Sequence, residues 1–521
     1  MTLVTSSWLL DAVLLLVPLL CCYTTRNFGY WKKLGIPYMQ PIPFVGNMGS
    51  VVIGQKHMGE PVLECYRRAG NASFMGMFAF DQPLLMVKDP ELVGRIMSTD
   101  FSTFYATNAK CDPAADPVLY MSLFGQHGQG WKKLRTLLSP AFSSGKIKLM
   151  FHLINEVGQN LARQLEAAVS EGEHVELKDL TSRYATDVVC SVFMGVDAGA
   201  LRAGDSPIRA HLRNIVRDTP LGRIAATLSF FAPRMLSIFP IRLGDKRADD
   251  YFVHNTTKLI EQRRKTGMIR NDLIDMLLKT QEDHLSEKVV KQDVTNGSCD
   301  SFDKAYKMTN ESIAGQLMSF LRAGFDTSAS ALAFSVFELA RDCELQQQVR
   351  QRLRAVLGRH GGRVTYEALS DMRDLTNVIN EALRMYPPAN FLDREASRDY
   401  QIPGTDIVLP RGTGVVVSVT GLHHDPRYWT EPHRFIPDRF KEENSRDRPN
   451  YTFLPFSAGP RMCIGMRVAY LQVKIGLLHI LNNFEVYAVP ATPNTLRVDS
   501  SKLIVTPAGE VVLGFRRIPA M

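Results

Sequence analysis

The residues best suited to chemistry stand in one short stretch, FSAGPRMCIGMRVAYLQVK, where Phe456, Gly459, Arg461, Cys463 and Gly465 precede an amphipathic helical pattern. A cysteine taken alone is usually a small buried hydrophobe. Here two glycines permit a tight turn and close backbone approach, and backbone N–H groups at a helix start favour negative charge on sulfur. Arg461, two residues from the sulfur, adds positive charge or pairs with an anionic ligand.

A single thiolate in such a loop has three uses to weigh. Zinc requires three more Cys or His ligands, and none has the spacing. A cysteine nucleophile requires a base; His423 and His424 are available, but no pattern ties them to Cys463. An axial ligand to a haem iron requires only one protein sulfur.

With every specified position filled, the stretch resembles the FxxGxRxCxG signature of the cytochrome P-450 family of haem-thiolate monooxygenases. Other parts of the chain resemble the family's remaining motifs. Glu381-Ala-Leu-Arg384, in NEALRMYPP, is similar to the ExxR motif; i and i+3 share a helix face, and two prolines end the helix. Phe435-Ile-Pro-Asp-Arg439-Phe440 is similar to the PxRF segment. The resemblance implies that Glu381, Arg384 and Arg439 form a structural hydrogen-bonded cluster under the haem and take no part in catalysis.

Ala323-Gly324-Phe325-Asp326-Thr327-Ser328 resembles the oxygen-activating motif [AG]Gx[DE]T[ST]. Ser319, Ala323, Gly324 and Thr327 fall on one small or hydroxylic face, with room for dioxygen and a substrate. On the plainer reading these residues allow close helix packing, and Thr327 bonds its own i−4 carbonyl. The resemblance implies that Asp326 and Thr327 are catalytic and organise proton delivery. Trp131 and Arg135 in GWKKLRTLLSPAF, Arg394 in FLDREA, and Arg461 are similar to the family's haem-propionate partners, since a guanidinium fork suits a carboxylate. Phe456, Cys463 and Gly465 complete the implied haem-binding set, with Cys463 the iron ligand. HHDPRYWTEPHRFIPDRF also follows the family's H-x-DP-x-x-W pattern, and the resemblance spans roughly residues 30 to 517.

The implied activity is insertion of one oxygen atom from O2 into a lipophilic substrate, with haem b as cofactor and NADPH supplying electrons through a flavoprotein reductase. Lys132, Lys133 and Arg467 are candidates to dock an acidic reductase surface, although solvated charge explains them equally well. Residues 105–121, the stretch 226–241 and Ala389 to Phe391 are implied to border a largely apolar pocket, which favours a sterol or other membrane lipid. A fatty acid or a foreign lipophile comes next. Two other readings compete: a haem-thiolate isomerase or dehydratase of lipid peroxides, and a haem protein that binds gas or ligand without turnover. The intact Asp326-Thr327 pair counts against both.

These residues must be held by a chain of 521 residues that is 45% hydrophobic and 22% charged, with a mean hydropathy of −0.09. Such a composition excludes a disordered or polytopic protein. Helical periodicity is clear over 131–142, 145–170, 247–280, 311–342, 343–357, 375–386 and 464–484, and strand alternation over 73–87, 398–418 and 500–517. A mainly α fold with a minor β part (α+β) follows, the resemblance implying the cytochrome P-450 fold with a single large haem domain at 51–521. A polar segment at 281–311 reads as a surface loop, and 226–241 as buried core or as a patch dipping into lipid.

Residues 1–25 read as a transmembrane anchor. About 21 apolar residues are interrupted by Asp11, whose cost of roughly 2.5–3.5 kcal/mol the leucines and valines outweigh. Arg26, Lys32 and Lys33 on its C-terminal flank place the rest in the cytosol; the anchor, proline hinge and overall pattern are most similar to the family's microsomal type, which implies the endoplasmic reticulum membrane. Residues 26–50, with Pro37, Pro41 and Pro43, read as a stiff extended linker. Eight scattered cysteines without a CxxC pair exclude a disulfide scaffold and a zinc ribbon, and five N-x-S/T sequons read as unused. The net charge of +8 lacks a basic run or a base-stacking motif, so no nucleic acid is expected as a partner.

Overall fold

A computed structural model describes residues 4–215, 219–236, 238, 241–292 and 308–519, side chains of 4–10, 12, 13 and 283–292 excepted. The principal helices are α1 (Val4–Thr25), α2 (Glu60–Arg68), α3 (Gly128–Leu138), α4 (Ser144–Ser170), α5 (Leu177–Val189), α6 (Pro220–Phe231), α7 (Lys246–Thr266), α8 (Leu273–Gln292), α9 (Asn310–Arg341), α10 (Cys343–Arg359), α11 (Arg373–Met385) and α12 (Met466–Asn483). The main strands are β1 (Phe74–Ala79), β2 (Gln82–Val87), β3 (Phe391–Glu395), β4 (Gly414–Ser418), β5 (Phe484–Ala488) and β6 (Val512–Arg517).

The helices form one core around α9, whose length is buried on nearly every side: Leu317, Leu321, Leu332, Val336 and Phe337 pack with residues of α4, α5 and α12. A second core lies under the sheet of order β1-β2-β4-β3, in which β2 runs parallel to β4 and the other pairs are antiparallel. This sheet places Arg394 of β3 opposite Val415 of the fully buried β4, which fixes its backbone. β5 and β6 pair antiparallel beside α4 and α12. The α+β expectation holds.

Several boundaries differ, each for a local reason. The pattern over 247–280 is two helices, because Gly267 takes a φ of +64° and closes α7. The segment 281–311 is not loop from its start, since α8 runs on to Gln292, while residues 293–307, with Cys299 and the Asn296 sequon, lie outside the described residues. The stretch 226–241 is the end of α6 followed by a turn of helix at Pro233–Leu236, a proline-initiated start. Its Leu228, Phe231, Ala232 and Leu236 are buried, whereas Ile238 is exposed, and residues 237, 239 and 240 are outside the described set.

The expected linker at 26–50 is packed structure. Trp31 is fully buried and donates its indole N–H to the Met77 carbonyl at 3.0 Å, and Met39 N–H donates to the Gly76 carbonyl at 2.9 Å. Prolines stiffen the segment, but its aromatic and methionine side chains gain more by covering the sheet than by remaining solvated. At the N-terminus, α1 exposes Leu14, Leu15, Leu16, Val17, Leu19 and Leu20. Among the described residues, no helix is long and apolar enough to cross a membrane.

Candidate active site

Gly459 makes the cysteine loop possible. Its φ is +68°, and a Cβ there would lie 2.0 Å from the Met97 carbonyl oxygen, so only glycine fits. The turn brings Cys463 N–H within 2.9 Å of the Phe456 carbonyl and starts α12 at Met466. Gly465 has an ordinary φ of −87°, and a Cβ there would meet only the Cys463 sulfur, at 4.0 Å. Its smallness keeps space beside the sulfur and is not a backbone requirement.

Cys463 retains accessible surface although protein surrounds it, so it faces a recess. Burial raises its thiol above the ordinary value; the backbone N–H groups of Gly465 and Met466 and the charge of Arg135 act the other way and are outweighed. The helix start alone therefore does not produce a thiolate, whereas a bound metal cation deprotonates a coordinating thiol outright. Arg135 is the cation beside the sulfur and donates to the Met462 carbonyl at 2.9 Å. Arg461 turns away from it.

Arg461 lies 4.0 Å over the Trp131 ring and donates from Nε to the Tyr105 carbonyl at 2.6 Å. Burial, then the neighbouring Arg394 charge, lowers its guanidinium to about 10. Arg394 is buried, donates to the Asp393 carbonyl at 2.7 Å, and is likewise lowered by burial. Arg461 Nη2 and Arg394 Nε are buried without a hydrogen-bond partner. Arginines converging with orphaned donors are a costly arrangement unless an anion completes it. The propionates of a haem fit that deficit, and Cys463 fits the iron.

The other uses of the cysteine fail on geometry. His423 is fully buried, with Nε2 accepting from Leu454 N–H at 2.8 Å and Nδ1 3.2 Å from the Arg384 carbonyl, so it is no base for Cys463. His424 engages the Thr420 carbonyl at 3.0 Å. Among the described residues, no group of three His, Cys, Asp or Glu could hold a metal.

Glu381 and Arg384 form a bidentate pair, both bonds 2.8 Å, with neither side chain exposed. Arg439 Nε adds 3.2 Å and Ile436 N–H 2.8 Å to Glu381, while Arg384 donates to the carbonyls of His423, Pro432 and Arg434. The cluster thus ties α11 to the chain before the cysteine loop.

On α9, Ala323 is exposed in the middle of a helix that is mostly buried, and Asp326 and Thr327 follow it, half-buried. Thr327 Oγ1 donates to the Ala323 carbonyl at 2.5 Å, the i−4 bond of the plainer reading. Gly324 does not share the open face: a Cβ there would lie 3.1 Å from Phe193 and 3.2 Å from Val189, so its role is close helix packing. Rings join two of the segments expected to border a pocket, Phe230 to Phe391 at 5.6 Å and Phe231 to Phe391 at 4.8 Å, and Phe124, just beyond 105–121, lies 6.0 Å from Phe230.

His127 and Asp393 also belong to this neighbourhood and were not legible in the sequence. Burial lowers His127 to about 4, with Arg461 and Lys110 adding to the effect. Asp393 accepts from Ala109 N–H at 2.9 Å. Each stands next to a motif, four residues before Trp131 and one before Arg394, but carries no pattern of its own.

Relatives place the chain further. It is 34% identical over 507 residues to cytochrome P450 6j1 of Blattella germanica, covering 97% of each chain. It is 31% identical to cytochrome P450 6l1 of the same species, over 99% of this chain and 97% of that one. It is 32% identical to probable cytochrome P450 6g2 of Drosophila melanogaster, over 94% of each. With the cytochrome P450 family model matching residues 36–515, and with a recessed cysteine on a loop whose arginine neighbourhood holds unpartnered donors, the chain belongs to the cytochrome P450 family and is a haem-thiolate monooxygenase.

Proposed function

We propose that this enzyme hydroxylates a lipophilic substrate drawn from the membrane, a sterol or similar lipid first and a fatty acid or foreign lipophile second. The observation that supports the reading is the cluster of Phe124, Phe230 and Phe391, whose rings join three separate segments of the chain and supply no charged group to bind a polar substrate. The bound haem supplies reductive activation of dioxygen and transfer of one oxygen atom into a C–H bond. Overall, substrate, O2, two electrons and two protons give the hydroxylated product and water.

The chain's own residues do the rest. Cys463 would hold the group through its sulfur, and Arg135, Arg394 and Arg461 with Trp131 would hold its carboxylates. Ala323 leaves space on α9. Asp326 and Thr327 hold and pass protons there, Thr327 through a hydroxyl that still accepts while it donates to Ala323. The Glu381, Arg384 and Arg439 cluster fixes the chain that leads into the cysteine loop.

Electrons come from NADPH through a flavoprotein reductase, docked at exposed Lys132, Lys133 and Arg467. Residues 1–25 anchor the enzyme in the endoplasmic reticulum membrane with the catalytic part in the cytosol, since the leucines exposed on α1 require an apolar surrounding.

The first test is the spectrum of the reduced, haem-loaded protein with carbon monoxide, where the strongly red-shifted band of thiolate-ligated haem is expected. The second is product formation from a panel of sterols, fatty acids and foreign lipophiles with NADPH and reductase. Rearrangement of lipid peroxides without either would instead support the isomerase reading. Turnover confined to polar substrates would overturn the lipophile assignment.

A further inference from the structure

Asp393 of β3 is a buried carboxyl group among the arginines of the haem site. On the paired strand β4, the apolar Val416 stands opposite it. Its Oδ2 accepts from Ala109 N–H at 2.9 Å, and Glu395, two residues on along the same face of the strand, is matched by Lys110 at 2.8 Å. Lys110 is thereby spent on Glu395, and the bond to Asp393 is a backbone one.

Two guanidiniums bear on this carboxyl group. Arg394 donates to the Asp393 carbonyl at 2.7 Å and to Ser457 Oγ at 3.4 Å, and Arg461 of the cysteine loop donates to the Tyr105 carbonyl at 2.6 Å, so both bond neutral oxygens. Asp393 supplies negative charge that each of them feels. The other charged and titratable groups nearby are occupied or neutral. Arg135 of α3 lies beside Cys463 and bonds the Met462 carbonyl, while burial, with the Arg461 and Lys110 charges, lowers His127 to about 4 and leaves it neutral at pH 6 and above.

Arg461 Nη2 and Arg394 Nε are buried donors without partners, and the propionates of a bound haem would take them. Asp393 would then share these guanidiniums with two further carboxylates. Burial already raises its carboxyl above the ordinary value, outweighing the Ala109 N–H, the Arg394 charge, the Asn108 N–H and the Arg461 charge, which all favour ionisation. Carboxyl groups that share one low-dielectric site do not all ionise, so the proton on Asp393 responds to any further negative charge placed there.

We propose that Asp393 takes up a proton when the iron is reduced and releases it on oxidation, and so sets how readily the enzyme accepts its electron. One electron from the reductase and one proton from water then enter together. The proton forms an O–H bond at the Asp393 carboxylate, and the buried site gains no net charge. Asp393 acts through Arg394 and Arg461 and is therefore a positioning residue. The inference rests on reading this arginine neighbourhood as the propionate site.

The test is the one-electron reduction midpoint of the full-length, haem-loaded protein, followed by absorbance from pH 6 to 9. In the parent, the ratio of reduced to oxidised protein at a fixed potential is expected to fall by about tenfold across this range, which is about 59 mV for one electron. Asp393→Asn keeps an acceptor for the Ala109 N–H but cannot exchange the proton, so its ratio is expected to change by less than about threefold. A parent midpoint that does not move with pH overturns the proposal without any variant, which covers the case in which Asp393→Asn does not fold. An Asp393→Asn curve parallel to the parent's, whatever its offset, also overturns it. The propionate reading is tested apart by haem transfer from Arg461→Ala to an apo-haem acceptor. Transfer no faster than from the parent overturns that reading, whereas faster transfer with parallel midpoint curves overturns only the part given to Asp393.

Discussion

The Arg461 guanidinium sits 4.0 Å from the centre of the buried Trp131 ring, across more than three hundred residues of sequence. The ring and the Tyr105 carbonyl fix the fork in place while Nη2 stays unpaired. A guanidinium preoriented in this way loses little freedom when it meets a carboxylate.

Arg461→Ala is expected to weaken haem retention by about 10- to 100-fold, the range for loss of a group that orients a bound cofactor. Arg461→Lys should recover only part of that, because an ammonium cannot make the bidentate contact or stack as well. Haem transfer to an apo-haem acceptor, followed by absorbance, measures the effect. Equal retention in all three proteins would remove Arg461 from the haem site.

Glu381 and Arg384 are both fully buried, and each is the other's main charge partner. Arg384→Leu leaves Glu381 buried with only Arg439 and the Ile436 N–H, so a loss of about 3–5 kcal/mol is expected. Denaturant unfolding or the yield of folded protein reads this out. Variants as stable as the parent would show that the cluster does not hold α11 to the chain ahead of the cysteine loop.

Which features were legible in the sequence follows from how local their causes are. The thiolate loop was readable because its turn bonds are local, Cys463 to Phe456 and Met462 to Gly459, although the contact that demands glycine at 459 is with the distant Met97. The pairing of Glu381 with Arg384 was readable because helical spacing alone brings i to i+3. The orientation of Gly324 was not, since it depends on Phe193 and Val189 of another element. The sulfur's raised pKa was missed for the same reason: helix-start N–H groups are visible locally, but burial is a property of the whole fold. Residues 26–50 were misjudged because proline content speaks to stiffness and says nothing of the sheet that Trp31 covers.

Burial holds His57, His424 and His479 at about 4, below the ordinary value of 6.5. Above pH 6.5 these groups are neutral in both folded and unfolded chains and cost nothing. Between pH 6.5 and about 4 the unfolded chain takes up protons that the folded chain refuses, so stability is lost as pH falls through that window. Each such histidine contributes a slope of about 1.4 kcal/mol per pH unit there. Denaturant unfolding at pH 7 and pH 5 should show the loss, and His479→Gln should make it smaller. An identical loss in that variant would place the acid sensitivity elsewhere.

The hydroxyl of Thr327 is committed as a donor to Ala323 at 2.5 Å, which leaves it two lone pairs to offer to water or ligand. Thr327→Val keeps the branched shape and removes the hydroxyl. Because the lost bond is an i−4 side-chain bond at an accessible position, stability should change by no more than about 0.5 kcal/mol. If the hydroxyl takes part in proton delivery, product formed per NADPH consumed should fall several-fold while NADPH consumption continues, and Thr327→Ser should restore it. Asp326→Asn, which removes the neighbouring acid, is expected to slow turnover by about 100-fold, the lower end for loss of a general acid or base. Measuring product, NADPH and released peroxide in the same reaction separates these effects from poor folding. Full coupling in the valine variant would reduce Thr327 to a helix-packing residue and leave proton delivery to Asp326 alone.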